Sequence, residues 1–183
     1  MSENLQERII GEFVDYVPPT WDEWFMTKVY WVAAKSKDQR TKIGSVLVKN
    51  KKIISEGYNG ICRDVNDDCE DRHERPEKYF WFEHSERNSI YSAAKLGTST
   101  EDSTLYTQGI PCCDCTRAVI QSGVKKLVVH KQWQEFEDLF NWGKWKDQAK
   151  RSVIMLKESH IEVVTFDKIL NVIGYLDGKT IKC

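Results

Sequence analysis

Two short stretches constrain this chain more than anything else in it: "EHSER" at Glu83–Arg87 and "PCCDC" at Pro111–Cys115. Cys112 and Cys115 have C-x-x-C spacing, which puts two sulfurs on one side of a single helical turn. His84 offers a third ligand, and Glu86 places a carboxylate two residues beyond it. A lone H-x-E ordinarily marks a solvated helix face. Together the two stretches describe a metal with three protein ligands and a fourth tetrahedral position left to water. A closed structural zinc site needs a fourth protein ligand, whereas catalytic sites keep that position open. A carboxylate beside the open position can move the protons of a water whose pKa zinc lowers to about 7. The fold must therefore bring residues 84–86 and 112–115 together. His84 and Cys112 each fall at the expected start of a helix, and the residues between them account for one helix and one strand. Two adjacent helix N-termini meet the requirement, and their positive dipole ends suit thiolates and hydroxide.

The rest of the chain reads as alternating elements. "TWDEWFMTKVYWVAAKS" forms the first helix, with Thr20 as cap, Glu23 completing a capping box, and an apolar stripe of Trp24, Phe25, Val29, Val32 and Ala33. "KIGSVLVKNKKIISEGYNG" reads as two strands about a turn at Asn50–Lys51. A charged, irregular insertion runs from Ile61 to Glu83, long enough to suggest function or an interface. The helix "SERNSIYSAAKLG" stops at Gly97, "STLYTQ" is a strand, "CCDCTRAVIQSG" is a helix closed by Gly123, and "KKLVVH" is a strand. A polar helix from about Gln134 to Leu156 and the strand "IEVVTF" complete the pattern. An opening hairpin followed by strand–helix alternation indicates an α/β sandwich on a mixed sheet.

At 183 residues the chain suits one domain, 1–183, with its core at about 20–166 and the insertion at 61–83. Hydrophobic residues at 40% and aromatic residues at 11% exclude disorder. A net charge of -1 lacks the basic excess of a protein that tracks nucleic acid, so nucleic acid is not the expected partner. "MSENLQERIIGEF" does not read as a secretory signal. No stretch approaches the ~18–20 apolar residues that span a membrane. Cysteines clustered as in "PCCDC" fit metal binding in a reducing compartment, so the expected location is the cytoplasm of a cell or virus-infected host.

The order H-x-E, then P-C-x-x-C, is the signature of zinc-dependent deaminases of nucleobases. The chain resembles the cytidine and deoxycytidylate deaminase superfamily, and within it the deoxycytidylate (dCMP) deaminases. "WDEWFM" at Trp21–Met26, "SKDQRTKIGSVLV" at Ser36–Val48 and "GYNG" at Gly57–Gly60 carry the match to that branch, which runs from about Trp21 to Phe166. The resemblance implies a three-layer α/β/α sandwich with a mixed five-stranded sheet. It implies hydrolysis of dCMP to dUMP and ammonia, supplying the precursor of dTMP. By motif, His84, Cys112 and Cys115 would hold one catalytic Zn2+ and Glu86 would shuttle protons. Asn59 would contact the sugar, Ser85 would stand beside the leaving amine where relatives have alanine, and Trp133 would stack on the base. "GYNG" (Gly57, Tyr58, Asn59, Gly60) resembles a segment at which dCTP activates and dTTP inhibits, each with Mg2+. Regulated relatives are hexamers, so a homo-oligomer is expected.

Other readings compete with this one. The substrate could be dCTP, cytidine or a modified dCMP, and a zinc-bearing subunit without catalysis is the non-enzymatic rival. Cys62, Cys69 and His73 in the insertion are candidates for a second, structural zinc, though loop residues of these types more often bind nothing. Cys113 supplies a spare thiol beside the metal, and Arg40, Lys42, Arg87 and Lys131 are the cations available for a phosphate.

Overall fold

The computed structural model describes residues 17–139 and 143–183, so the N-terminal stretch read for a signal lies outside it. Helix α1 spans Trp21–Ala33. Its capping box forms as expected: the Thr20 hydroxyl accepts from the Glu23 N–H at 3.3 Å, and the Glu23 carboxylate accepts from the Thr20 N–H at 2.7 Å. Strands β1 (Gly44–Lys49) and β2 (Lys52–Tyr58) form a hairpin. Asn50 and Lys51 both take positive φ, matching the twist of the flanking strands. The base of the insertion is closed by β3 (Gly60–Ile61) pairing with β4 (Phe82–Glu83). Between them lie a 3₁₀ turn at Glu70–Arg72 and a one-turn helix, α2 (Lys78–Trp81). Then come α3 (Ser85–Lys95), β5 (Thr104–Thr107), α4 (Cys113–Gln121) and β6 (Lys126–His130). The chain ends with α5 (Lys131–Leu139), α6 (Gly143–Glu158), β7 (Glu162–Phe166), β8 (Ile173–Leu176) and β9 (Lys179–Lys182).

Five strands form one mixed sheet in the order β2-β1-β5-β6-β7. β1 is antiparallel to both neighbours, whereas β5, β6 and β7 are parallel. Alternation along the strands divides the core. Val46, Val48, Tyr106 and Val128 face α1 and α5, packing with Phe25, Met26, Val29, Tyr30 and Trp133. Leu47, Leu105, Leu127 and Val129 face the other way, against Ala93 of α3, Val119 of α4 and Leu156 of α6. Burying each such aliphatic side chain contributes roughly 1.5–3 kcal/mol, so a one-residue slip in register would undo both layers. The result is the expected three-layer α/β/α sandwich.

Two elements differ from expectation. The polar helix expected from Gln134 to Leu156 is two helices, and the first begins at Lys131, as soon as β6 ends. Starting there lets Trp133 and Phe136, three residues apart, turn toward the same core layer. The hairpin β8–β9 was not expected. Its turn, Asp177–Gly178, has positive φ at both residues and is a hairpin signal that the sequence carries in plain view.

Candidate active site

Both ligand stretches sit at helix N-termini. His84 is the N-cap of α3 and Cys112 the N-cap of α4, each in extended backbone that aims its side chain across the start of its helix. The Cys112 sulfur accepts from the Cys115 backbone N–H at 3.5 Å, so it caps the helix as well. Three contacts hold α3 on the sheet. The Ser45 hydroxyl donates to the Ser85 carbonyl and the Ser55 hydroxyl to the Ser89 carbonyl, both at 2.7 Å. At Gly57 the helix backbone comes so near that a Cβ would lie 2.3 Å from the Ser89 nitrogen and 2.4 Å from the Ser85 oxygen. α4 enters from the carboxyl end of β5, the neighbour of β1, and this places the two N-termini side by side.

The His84 Nδ1 lies 3.5 Å from the sulfurs of both Cys112 and Cys115. Bonds of about 2.0 Å to nitrogen and 2.3 Å to sulfur at tetrahedral angles give an edge of about 3.5 Å, so the donor set fits zinc. Among the described residues, this is the one group of three such side chains whose ligand atoms lie within 4.8 Å of one another. Cys62, Cys69 and His73 do not come together in this way. The His73 ring is instead bonded to the Asp67 carbonyl oxygen at 2.8 Å. Cys113 also points elsewhere: its sulfur donates to the Gln148 carbonyl on α6 at 3.6 Å, away from the sulfur pair.

Glu86 is buried, and its Oε2 lies 3.6 Å from the Cys115 sulfur. Ser85, wholly buried, donates its hydroxyl to the same carboxylate oxygen at 3.1 Å. Burial pushes the Glu86 carboxyl above its usual range despite that hydrogen bond. The two thiols are driven apart: the bond from Cys115 brings Cys112 down to about 4, and the same bond with burial pushes Cys115 up. Burial lowers the His84 ring, but the bond to Cys112 and the Glu86 charge outweigh it and raise the group overall. A thiolate, an imidazole and a buried carboxyl therefore share one wall. Behind them, Arg87 donates from Nε to Glu83 at 2.6 Å and faces Asp114 at 3.7 Å.

His84, Ser85, Glu86 and Cys112 open into a cleft of about 820 Å³, open solvent at its mouth included, lined also by Asp38, Asn59, Arg75, Lys78, Tyr79, Phe82, Thr107 and Ile110. Asn59 reaches it, but its amide is largely committed. Nδ2 donates to Asp38 at 2.9 Å and to the Thr41 carbonyl at 2.8 Å, while Oδ1 accepts from the Ile43 N–H at 2.8 Å. One lone pair on Oδ1 remains for a ligand. Trp133 is not in the cleft. It is wholly buried in the α1 layer, edge-on to Tyr30, because β6 passes directly into α5 and turns the indole inward. The expected base-stacking role does not fit that position, and the aromatic rings at the cleft are Tyr79 and Phe82. Gly57 likewise gives its open face to α3, so its backbone is not available to a nucleotide. Tyr58 is 43% exposed beside it.

Asp38 and Lys78 carry no role that their place in the sequence suggests. Lys78 donates to both carboxylate oxygens of Asp38, at 2.9 and 2.6 Å, and both residues are buried. The signal was present, since Asp38 stands within "SKDQR" and Lys78 ends the charged run "RHERPEK", but only the fold joins residues forty positions apart.

Residues 19–131 match the model of the cytidine and deoxycytidylate deaminase zinc-binding region. A curated relative from Aliivibrio fischeri, "Uncharacterized deaminase in luxG 3'region", is 31% identical over 143 residues, covering 78% of this chain and 91% of its own. The deoxycytidylate deaminase of enterobacteria phage T2 is 30% identical over 179 residues, covering 76% of this chain and 89% of its own. Two other curated relatives are spanned over 58% and 63% of their length. The fold resembles the crystal structure of the dCMP deaminase of cyanophage S-TIM5 in complex with dCMP and dUMP: TM-score 0.62 at 24% identity, covering 82% of this chain and 100% of that one. No described helix is long and apolar enough to cross a membrane. With the signature residues gathered on one wall and the family model spanning them, this chain belongs to the cytidine and deoxycytidylate deaminase zinc-binding family.

Proposed function

We propose that the protein converts dCMP and water to dUMP and ammonia. The observation that carries the reading is a buried Glu86 beside three metal-fitting donors, facing an open cleft. A structural site has no use for such a carboxyl. His84, Cys112 and Cys115 would hold a zinc ion, which would supply a water acidic enough to lose a proton near neutral pH. Glu86 accepts that proton and passes it to ring nitrogen 3 as oxygen adds at carbon 4. It then takes the second proton from the hydroxyl now on carbon 4 and delivers it to the amine, so that ammonia leaves as the carbon–nitrogen bond breaks and carbon 4 becomes the carbonyl of dUMP. Burial favours the protonated carboxyl, which suits the delivery half of that cycle. The Ser85 hydroxyl steadies Oε2 without leaving the wall. Tyr79, Phe82 and Ile110 offer the apolar surface for the ring, and the remaining lone pair of Asn59 is available to the sugar.

The same reading extends to a homo-oligomer, a hexamer in the family's regulated form, with dCTP and dTTP acting with Mg2+ near Tyr58 and Asn59. The exposed Tyr58 ring supports a stacking contact there. The test is ammonia release from dCMP, dCTP, cytidine and single-stranded DNA, repeated with and without dCTP or dTTP. Release from dCMP alone supports the reading, and preference for another substrate replaces it. Superimposed hyperbolic curves with and without triphosphate remove the regulatory part.

A further inference from the structure

The four cations that the sequence offered for a phosphate are placed elsewhere. Lys131 pairs with Asp167 at 2.7 Å, and Arg87 is held by Glu83 and Asp114. Arg40 lies 3.9 Å from Glu74, and Lys42 donates to the Ser36 carbonyl while lying over the Tyr175 ring. None of the four lines the cleft. Among the described residues that do, the lysine and arginine side chains are Lys78 and Arg75, both from the insertion.

These two are not equivalent. Lys78 spends two of its three donors on Asp38, and that carboxylate also accepts from the backbone N–H groups of Arg40 and Thr41 and from the Asn59 amide. The pair is buried and neutralised, which makes it a floor for the cleft rather than a landing point for a dianion. Arg75 is different. Its side chain is 46% exposed, and the ion pair it forms, with Asp177 of the C-terminal hairpin, is long at 4.0 Å. A planar guanidinium at a cleft mouth, loosely held, can turn to a phosphate and bind it through two parallel hydrogen bonds.

We propose that Arg75 recognises the 5′-phosphate of the substrate, with the buried Lys78–Asp38–Asn59 network positioning the insertion that carries it, so that the insertion selects a nucleotide over a nucleoside. This rests on the dCMP reading above and deepens it. Asp177 occupies the guanidinium when no phosphate is present and yields to it on binding, which couples the C-terminal hairpin to the cleft. Removing Lys78 would strand a buried carboxylate and endanger folding. Arg75 is therefore the informative position.

The experiment titrates the zinc-loaded protein with dUMP and, separately, with deoxyuridine by calorimetry, so that the readout does not depend on turnover. Wild type is expected to bind dUMP more tightly than deoxyuridine. Arg75→Ala should weaken dUMP binding about 10- to 100-fold, the usual consequence of losing hydrogen bonds to a charged group, while deoxyuridine binding and the thermal midpoint stay as in wild type. Arg75→Lys should fall between, and Asp177→Asn should bind dUMP as tightly as wild type or more tightly. Equal affinity for the two ligands in wild type, an unchanged dUMP affinity in Arg75→Ala, or a matching loss of both ligands would each overturn the proposal. Arg75-dependent dUMP binding without ammonia release from dCMP would instead overturn the deaminase reading and leave this one standing.

Discussion

His84 and His130 stand in the same chain with opposite fates. His84 opens α3, and its Nδ1 faces two sulfurs at 3.5 Å, the span that a tetrahedral metal requires. His130 ends β6, fully buried, with Nδ1 2.6 Å from the Tyr30 hydroxyl and Nε2 3.0 Å from the Lys168 carbonyl. A carbonyl only accepts, so Nε2 carries the proton and Nδ1 accepts from Tyr30. Both ring nitrogens of His130 are spent on strong hydrogen bonds, and nothing remains for a ligand. A histidine beside sulfurs, which are weak hydrogen-bonding partners and strong metal ligands, stays available for coordination. The aromatic residues divide in the same way. Trp133 packs in the closed region around Tyr30, whereas Tyr79 and Phe82 stand at the cleft.

The largest effect expected is at the open site. Changing His84, Cys112 or Cys115 to Ala should remove the bound zinc and with it all turnover, while Cys113→Ala keeps both, because that sulfur faces Gln148. Elemental analysis of the purified variants checks this, and equal zinc loss in Cys113→Ala would break the distinction. Next is Glu86→Gln, which preserves shape but cannot take up a proton. Turnover should fall by about 10²–10⁴, the range for losing general acid–base help, with zinc retained. Ammonia release measured beside metal content separates the two losses, and near wild-type turnover would take Glu86 out of the chemistry.

The closed region should answer with stability instead. Trp133→Ala is expected to cost about 3–5 kcal/mol, as for other large core truncations. Urea unfolding measures it, and a small stability change with a large rise in KM would return Trp133 to the substrate. The smallest effect is a pH dependence. Burial lowers the His130 pKa from 6.5. Between the folded value and 6.5 the unfolded chain binds the proton that the folded chain refuses, so stability falls as pH drops below 6.5. The contribution is at most about 1.4 kcal/mol per pH unit. Denaturant midpoints at pH 7.5 and 5.5 should therefore lie closer together in His130→Gln than in wild type, and an unchanged gap would mean that another group sets the acid limit.

Local chemistry made much of this legible from residues alone. Thr20 and Glu23 form a capping box within one turn of helix, and the turn after β1 is marked by Asn50, a residue type that tolerates positive φ. Both are decided by neighbours in sequence. The three candidate metal ligands were legible for a related reason: a C-x-x-C at a helix start is a local geometry, and an H-x-E at another start needs only one long-range pairing. The side that Trp133 faces depends on where β6 stops and α5 begins, which the apolar layer above the sheet decides. At Gly57 the space left by the missing side chain is taken by the backbone of α3, which only the packing of that helix decides.

What the sequence by itself determined, then, is the chemistry of the site: one imidazole, two sulfurs and one carboxyl, at spacings that put each at or just inside a helix start. Which charges face the cleft was decided only in three dimensions. Arg40, Lys42, Arg87 and Lys131 carry the same charge as Arg75. A cation's availability depends on which carboxylates and carbonyls the fold sets beside it. Lys78 and Asp38, forty residues apart, become a buried pair only when β3 and β4 pair and close the base of the insertion. Coulomb attraction and desolvation act through space, so the chain order that reveals ligand spacing says nothing about them.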